Sequence, residues 1–283
     1  MSALRLRTRM GSSSGSVGFL TYCFTNQKSK LTHHRIALGL ANFPSAAVEC
    51  GWHRVNLIRR VHIQVRIQIG ADLKKKCPQT ALGCLTARVK PEPSPVALLA
   101  EMNQRELEIQ ELPFPRGVLE SPQVETVRRA YKALGKDPAR YRGSAEALLR
   151  RIVAGKGFPQ INVVVDVINL VSVESRLPIG LYDVAHLMGD IVLRAGRAGE
   201  TYKGIGKYDL NLEGLPLFAD DAGPHGSATS DSERTMVTSK TAGILAVIIS
   251  FGGAEGLDRW TQRMSALLKE HAAAQNVETR VVQ

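Results

Sequence analysis

Two polar residues, Asp166 and Asn169, interrupt the apolar stretch INVVVDVINLVSV at 161–173. Spaced three apart, they would lie on one face of a helix. A carboxylate or amide in such apolar surroundings needs a hydrogen-bond partner, because burying it unpaired costs free energy. The pair therefore indicates either structural hydrogen bonding or a site that holds a polar ligand.

A second group of candidate binding residues is basic. Residues 128–156 hold nine lysines and arginines against two acids, a local formal charge of +7. Cations concentrated on consecutive elements are typical of a surface that contacts phosphate, although two amphipathic helices with solvated outer faces would give the same count. The candidate phosphate contacts are Arg128, Arg129, Lys132, Arg140, Arg142, Arg150 and Arg151.

Cysteine and histidine in the first third of the chain raise the alternative of a zinc site. Cys50, His53, Cys77 and Cys84 are of the types that zinc prefers. The spacing between Cys77 and Cys84 is longer than that of a usual zinc knuckle, so ordinary thiols are the favoured interpretation. We predict no metal and no other cofactor. The remainder of the chain has no cysteine, which fits a reducing compartment.

A pair of helices would carry the basic residues. Ser121 is a capping residue followed by Pro122, and the helix that they open ends at Gly135. Ser144 caps a second helix, which ends at Gly155.

The elements around Asp166 and Asn169 are less certain in type. The valines of 163–173 favour a strand, whereas the length of the stretch and its polar pair allow a buried helix. Residues 96–112 begin as a helix and either continue or turn into a strand. Further strands are predicted at 189–195, 215–219 and 244–251, and a last helix follows Gly252-Gly253. The fold class is therefore α+β, a mixed sheet packed with helices.

The first 95 residues differ from the rest in charge. They hold 15 basic and 3 acidic residues, whereas 96–283 hold 22 and 23. The start is typical of an organelle transit peptide, and equally of a basic disordered arm or of a start codon assigned too far upstream. Residues 55–70 alternate as a half-buried strand does, and KPEPSP at 90–95 is typical of a stiff linker. We predict a basic appendage at 1–95 and a folded domain at 96–283.

Several motifs follow one another in an order that is specific. They are VVD-x-x-N-x-V at 164–171, LP-x-x-x-YD at 177–183, G-x-IV-x-R at 189–194, AGE at 198–200 and SDSER at 230–234. Together they resemble the editing domain, B3/B4, of the bacterial phenylalanyl-tRNA synthetase beta chain, over roughly 120–252. The resemblance implies the B3/B4 fold. Since nothing in the chain resembles a synthetase core, it also implies a free-standing domain that acts in trans.

The resemblance also implies site residues. Asn169 matches a pocket asparagine and Glu233 matches the glutamate that contacts the polar end of the amino acid, so these two are the catalytic candidates. Further substrate-binding candidates are Asp166, Gly180, Tyr182, Ser232 and Arg234. The structural alternatives are a hydrogen-bonding role for Asp166, a core role for Tyr182, and an ion pair from Arg234 to an acid such as Asp231.

Two positions depart from the family pattern. Ile168 stands where threonine is common, and Gly180 stands where the synthetase has a histidine of its editing pocket. The missing side chain is expected to open room, so the substrate is expected to be a different amino acid. His225 could enter the site, but a solvent-facing loop histidine is the favoured interpretation.

The parent domain hydrolyses the ester of phenylalanine-specific tRNA that carries tyrosine. The resemblance therefore implies a metal-independent aminoacyl-tRNA deacylase, with aminoacylated tRNA as partner and the basic helices as its dock. The alternatives are a non-catalytic tRNA- or amino-acid-binding module and a protein for a small ligand without RNA. No apolar run approaches the ~18 residues of a membrane span. We expect a cytoplasmic protein, or an organellar one if residues 1–30 are a transit peptide, and the oligomeric state stays open.

Overall fold

The computed structural model describes residues 65–206 and 209–283. In chain order the strands are β1 Ile67–Ile69, β2 Ala81–Arg88, β3 Ile179–Asp183, β4 Ile191–Ala195, β5 Thr201–Lys203, β6 Asp209–Asn211, β7 Pro216–Asp220, β8 Gly223–Ser227, β9 Gly243–Ser250 and β10 Gln275–Val282. The α-helices are α1 Ala71–Lys76, α2 Val96–Gln110, α3 Pro122–Ala133, α4 Ser144–Val153, α5 Val163–Ser175 and α6 Leu257–His271. The start of the chain, Cys50 and His53 lie outside the described residues.

An antiparallel sheet in the order β10–β2–β9–β3 forms the middle layer of the described residues. Every residue of β9 is buried, because helices cover one face of this sheet and a second sheet covers the other. Ile244, Ala246 and Ile248 pack among residues of α2, α4, α5 and α6. The alternate residues Leu245, Val247 and Ile249 pack against residues of the second sheet, as the period-two alternation of a strand requires.

The second sheet has the order β1–β4–β7–β8, and β1 is parallel to β4 while the other pairs are antiparallel. Strands β5 and β6 pair with each other in a separate two-stranded sheet. The α+β class with a mixed sheet is confirmed, and β4, β7, β9 and α6 fall where strands and a last helix were predicted. Among the described helices, none has both the length and the apolar character to cross a bilayer.

Strand β2 corrects the predicted domain boundary at residue 95. It pairs in unbroken register with β9, from Ala81 opposite Ser250 to Arg88 opposite Gly243, and its other edge pairs with β10. The proline segment before α2 is also tied to the fold, because Val163 N donates to the carbonyl of Glu92 at 2.9 Å. Residues 65–95 therefore fold with the rest of the domain. A strand that is buried on both faces shows no alternation of polar and apolar residues. The basic composition of residues 1–95 therefore predicted an appendage where the chain forms a strand.

The stretch at 163–175 is a helix, α5, despite its valines. The side chain of Asn162 caps it by accepting hydrogen bonds from Val164 N and Val165 N, both at 3.1 Å. Nearly the whole helix is buried against α4, α6 and β3, and packing of this kind outweighs a strand propensity worth about 1 kcal/mol at most. Residues 96–110 likewise form one uninterrupted helix, α2.

Ser121 is the N-cap residue of α3 as predicted, whereas the predicted cap of α4 by Ser144 is wrong. Ser121 occupies the N-cap position of α3, but its side chain makes no capping bond. The N-cap of α4 is Gly143, and Ser144 is already the first helical residue. Both hydroxyls are buried without a hydrogen-bond partner among the described residues.

Candidate functional site

The segment Ser230–Arg234 is held in place by backbone bridges on both sides. Asp231 bridges to Gly226 of β8, and Ser232 bridges to Gly204 at the end of β5. Ser232 N donates to the carbonyl of His225 at 3.0 Å. A short 3-10 turn, Glu233–Thr235, follows directly. We call residues 227–235 the site loop. Its backbone bridges fix the position of Glu233.

Tyr182 fills the space that the missing histidine was expected to leave. A Cβ atom at Gly180 would lie 2.1 Å from the Tyr182 hydroxyl oxygen, and one at Gly226 would lie 2.3 Å from it. Gly180 and Tyr182 share a face of β3 because they are two residues apart. The expectation that Gly180 enlarges a pocket is therefore wrong. Instead, the two glycines make room for a fully buried tyrosine.

Tyr182 belongs to the core between the two sheets, as the structural alternative predicted. Its ring meets that of His225 edge-on at 4.6 Å between centroids and that of Phe218 at 5.8 Å. The hydroxyl lies beside the carboxylate of Asp231, which accepts a hydrogen bond from Leu181 N at 3.1 Å. Burial first, and the charge of Asp231 second, raise the pKa of Tyr182 well above its usual value, so the phenol stays protonated.

His225 is fully buried, so the expectation of a solvent-facing loop histidine is wrong. It lies on β8, and neither ring nitrogen has a hydrogen-bond partner among the described residues. Burial lowers the pKa of His225 to about 4; the charge of Arg234 lowers it further, while that of Asp220 opposes the shift. His225 is therefore neutral at physiological pH, and it contributes packing rather than charge.

Acid should destabilise the protein through His225. The unfolded histidine takes up a proton near pH 6.5, whereas the folded one does so only near pH 4, so stability present above pH 6.5 is lost as the pH falls through this window. A shift of this size corresponds to about 3 kcal/mol once both states are protonated. Urea unfolding between pH 7 and pH 4 should show a shallower loss for His225→Phe than for the unmodified protein.

The control for this experiment is His186→Phe, because His186 is 57% exposed. That variant should keep the acid sensitivity of the parent protein. An equal pH slope for His225→Phe and the parent would show that the buried ring does not set the acid response.

Arg234 is committed to structural contacts. Its guanidinium makes two hydrogen bonds to Asp220, at 2.8 and 3.2 Å, and donates to the carbonyls of His186 and Gly223 at 2.9 and 3.1 Å. Burial alone would raise the pKa of Asp220, but the hydrogen bonds from Arg234 and Met188 N outweigh it and lower the pKa. The expected ion pair exists, but its partner is Asp220 and not Asp231. Arg234 fixes the site loop to β7.

Glu233 is the member of the site loop whose carboxylate reaches the surface. Its side chain is 35% exposed and pairs with Lys203 Nζ at 3.0 Å, and Lys203 is itself 63% exposed. The neighbouring Ser232 is buried, and its hydroxyl has no hydrogen-bond partner among the described residues. Lys203 is not predicted by any motif in the sequence, because only the β5–β6 hairpin brings it to the loop.

The two polar residues of α5, Asp166 and Asn169, differ in their contacts. Asp166 is buried and accepts hydrogen bonds from Ser94 Oγ at 2.5 Å and from Ile161 N at 3.0 Å. Burial raises the pKa of Asp166, against the effect of both bonds. These contacts match the structural alternative for Asp166. Asn169 is half-buried, and its amide makes no hydrogen bond to another side chain or backbone group within the described residues.

Some of the candidate phosphate contacts are bonded to other protein groups, and others are not. Arg128 lies between Glu125 and Glu146, with hydrogen bonds of 2.5, 2.9 and 3.1 Å, and Arg150 bonds to Glu146 at 2.8 Å. Arg151 Nε donates to the carbonyl of Gly157 at 2.7 Å. The remaining candidates are exposed and have no acidic partner among the described residues: Arg129, Lys132, Arg140 and Arg142. These four are the cations that a phosphate could reach.

The buried side of α3 contacts the site loop. Tyr131 and Thr229 are joined by a hydrogen bond of 2.7 Å between their hydroxyls, and Ser144 N donates to the carbonyl of Ala228 at 2.8 Å. Tyr202 donates to Ser227 Oγ at 3.0 Å. Helix α3, which carries Arg129 and Lys132, is therefore packed against the loop that carries Glu233.

The described part of the chain contains no cluster of side chains that could hold a metal ion. No group of three or more histidine, cysteine, aspartate or glutamate side chains converges among those residues. Cys77 and Cys84 are buried free thiols, and burial raises the pKa of both.

Comparisons with known proteins agree with the ordered motifs. Residues 126–257 match the family model of the B3/4 domain. The phenylalanine–tRNA ligase beta subunit of Cutibacterium acnes is 37% identical over 91 residues, which are 31% of this chain and 11% of that protein. That of Novosphingobium aromaticivorans is 30% identical over 111 residues, 38% of this chain and 14% of the other. The chain thus corresponds to a small part of these subunits.

Among solved structures, an N-terminal fragment of the phenylalanyl-tRNA synthetase beta subunit from Pyrococcus horikoshii is similar, with a TM-score of 0.39 and 15% identity. The match covers 77% of this chain and 50% of that one. The residues that match the family model include the region of the ordered motifs from 164 to 234. Residues 126–257 therefore match the B3/4 domain family, and this part of the chain is similar to a part of the beta subunit of phenylalanine–tRNA ligase.

Proposed function

We propose that this B3/4 domain hydrolyses the ester of a mischarged aminoacyl-tRNA in trans. The observation that carries the proposal is the link between the site loop and the free cations. Tyr131 on the inner side of α3 bonds to Thr229 of the loop, while Arg129 and Lys132 stand exposed on the same helix. A tRNA docked on that outer surface would bring its aminoacyl end toward the loop that presents Glu233.

The reaction asks little of the side chains. Water adds to the acyl carbon, the bond from that carbon to the ribose oxygen breaks, and the ribose oxygen leaves with a proton. An aminoacyl ester is already activated, so holding the ester beside an ordered water supplies most of what is needed. The exposed carboxylate of Glu233 holds the ammonium group of the amino acid, and the free amide of Asn169 donates to a carbonyl or to the water.

The proposal is tested by a deacylation panel with the full-length chain. tRNAs that carry cognate and near-cognate amino acids are incubated with the protein and with Glu233→Ala and Asn169→Ala. Loss of one positioned polar group typically costs 10²–10³ in rate, so each variant should release the amino acid about a hundredfold more slowly. The matched controls are Glu255→Ala and Asn103→Ala, since both residues are exposed and lie outside the proposed site.

A second candidate function is a non-catalytic tRNA-binding module. It is favoured by the engagement of the predicted polar residues in structural contacts: Asp166 is bonded to Ser94 and Arg234 to Asp220, and Glu233 pairs with Lys203. Salt-sensitive tRNA binding without release of any amino acid would support this module and reject the hydrolase.

A further inference from the structure

A cleft of about 240 Å³ lies between α1 and α3, away from the site loop. Its lining includes Lys76, Gln79, Thr126, Arg129, Ala133 and Phe251. The two walls are fixed relative to one another, because Leu73 and Cys77 share one buried cluster with Ala130, Tyr131 and Phe251. A side chain on α1 therefore has a defined position next to α3.

Both walls of this cleft carry a cation. Lys76 comes from the last turn of α1 and Arg129 from the middle of α3, and both are exposed. The nearby acids are already engaged, since Asp72 pairs with Lys75 at 3.5 Å and Glu125 pairs with Arg128 at 2.5 Å. Within the described residues, Lys76 and Arg129 have no acidic partner, so the cleft carries a net positive charge.

The rest of the lining suits a sugar more than a protein side chain or a metal. Thr126 donates its hydroxyl to the carbonyl of Gln123 at 2.7 Å, which leaves its oxygen free to accept. Gln79 is exposed and offers both a donor and an acceptor. Ala133 and Phe251 supply apolar parts of the lining. Such a lining suits a nucleotide, because cations contact its phosphate while polar and apolar groups contact its sugar and base.

We propose that this cleft binds the sugar–phosphate backbone of the RNA, with a phosphate between Lys76 and Arg129. The inference rests on the proposed function for the identity of the RNA as a tRNA. It adds a contact from α1, which belongs to the segment predicted to be an appendage. Lys132, one turn beyond Arg129 on α3, continues the surface from the cleft toward the other free cations.

The test is tRNA binding by Lys76→Glu and Arg129→Glu in the full-length chain, measured by fluorescence anisotropy with uncharged tRNA at several salt concentrations. The control is Lys269→Glu, which makes the same charge change at an exposed lysine of α6. Each cleft variant should weaken binding about tenfold and reduce the salt slope by about one. Lys269→Glu should bind within about twofold of the parent protein, because the surface charge it changes lies on another helix.

The outcomes separate this inference from the proposed hydrolysis. If tRNA binding is lost in the cleft variants while no amino acid is ever released, the cleft assignment stands and the hydrolase does not. If the protein deacylates and Lys76→Glu raises KM with kcat unchanged, both stand. Cleft variants that bind tRNA as tightly as Lys269→Glu overturn the assignment, whatever the deacylation panel shows.

Discussion

A chain that starts at residue 96 should fail to fold. Such a fragment lacks β2, the inner strand that joins β10 to β9, and with it Leu82 and Leu85, which are fully buried on opposite faces of the sheet. Each fully buried leucine contributes about 1.5–3 kcal/mol, and a domain of this kind is stable by only about 5–15 kcal/mol. Urea titration followed by circular dichroism should show no cooperative transition for the fragment.

The control for this truncation is Leu85→Ala in the full-length chain. It should keep a cooperative transition and lose about 2–5 kcal/mol, the range for leucine truncation in a packed core. A fragment 96–283 that unfolds cooperatively at the same urea midpoint as the full-length chain would show that β2 is dispensable, and the predicted boundary at residue 95 would be reinstated.

Glu146→Ala should destabilise the protein, because the carboxylate of Glu146 on α4 holds Arg128 on α3. Burial alone would raise the pKa of Glu146, but hydrogen bonds from Arg128 and Arg150 outweigh it and lower the pKa. Its side chain is 4% exposed, and that of Arg128 is 21% exposed. Removing one partner of a largely buried ion pair costs about 3–5 kcal/mol when the other charge is left without compensation. Because Arg128 keeps its hydrogen bond to Glu125, we expect a loss at the lower end of this range, about 3 kcal/mol. Thermal and urea unfolding at neutral pH should show a loss in this range.

The matched control is Glu125→Ala. Glu125 also pairs with Arg128, but its side chain is 47% exposed, and exposed pairs contribute about 0–1 kcal/mol. Equal losses for the two variants would mean that burial of Glu146 does not matter to the pair. Neither change should abolish tRNA binding by itself, because Arg128 is bound to acids and is not among the cations that a phosphate can reach.

The sequence predicts the class of the fold and its later elements well, because these depend on local signals. Helix α6 and strands β4, β7 and β9 show either a clear period or a bounded apolar run, and the ordered motifs identify the domain. Strand β2 gave no such signal. Its partners lie at the other end of the chain, and its position at the centre of the sheet follows from pairing that no local pattern encodes.

The site residues stay a prediction for a related reason. Motif spacing points to Glu233 and Asn169, and in the structure Glu233 pairs with Lys203 at the surface while Asn169 is half-buried. Spacing does not show that Tyr182 fills the space beside Gly180, or that Arg234 is bound to Asp220. Charge counting likewise gave +7 for 128–156 but could not separate Arg128, which is paired, from Arg129, which is free. Contacts between elements decide each of these cases.

The position of β2 also determines when the sheet can form. Arg88 and Gly243 are paired across more than 150 residues of chain, and pairings this distant in sequence slow folding because a long loop must close first. During synthesis at about 5–20 residues per second, β2 is made on the order of ten seconds before β9. For that interval the strand ALGCLTAR, apolar on both faces, has neither of its neighbours. We therefore expect this segment to be the part of the sheet most prone to pair with other chains before folding is complete.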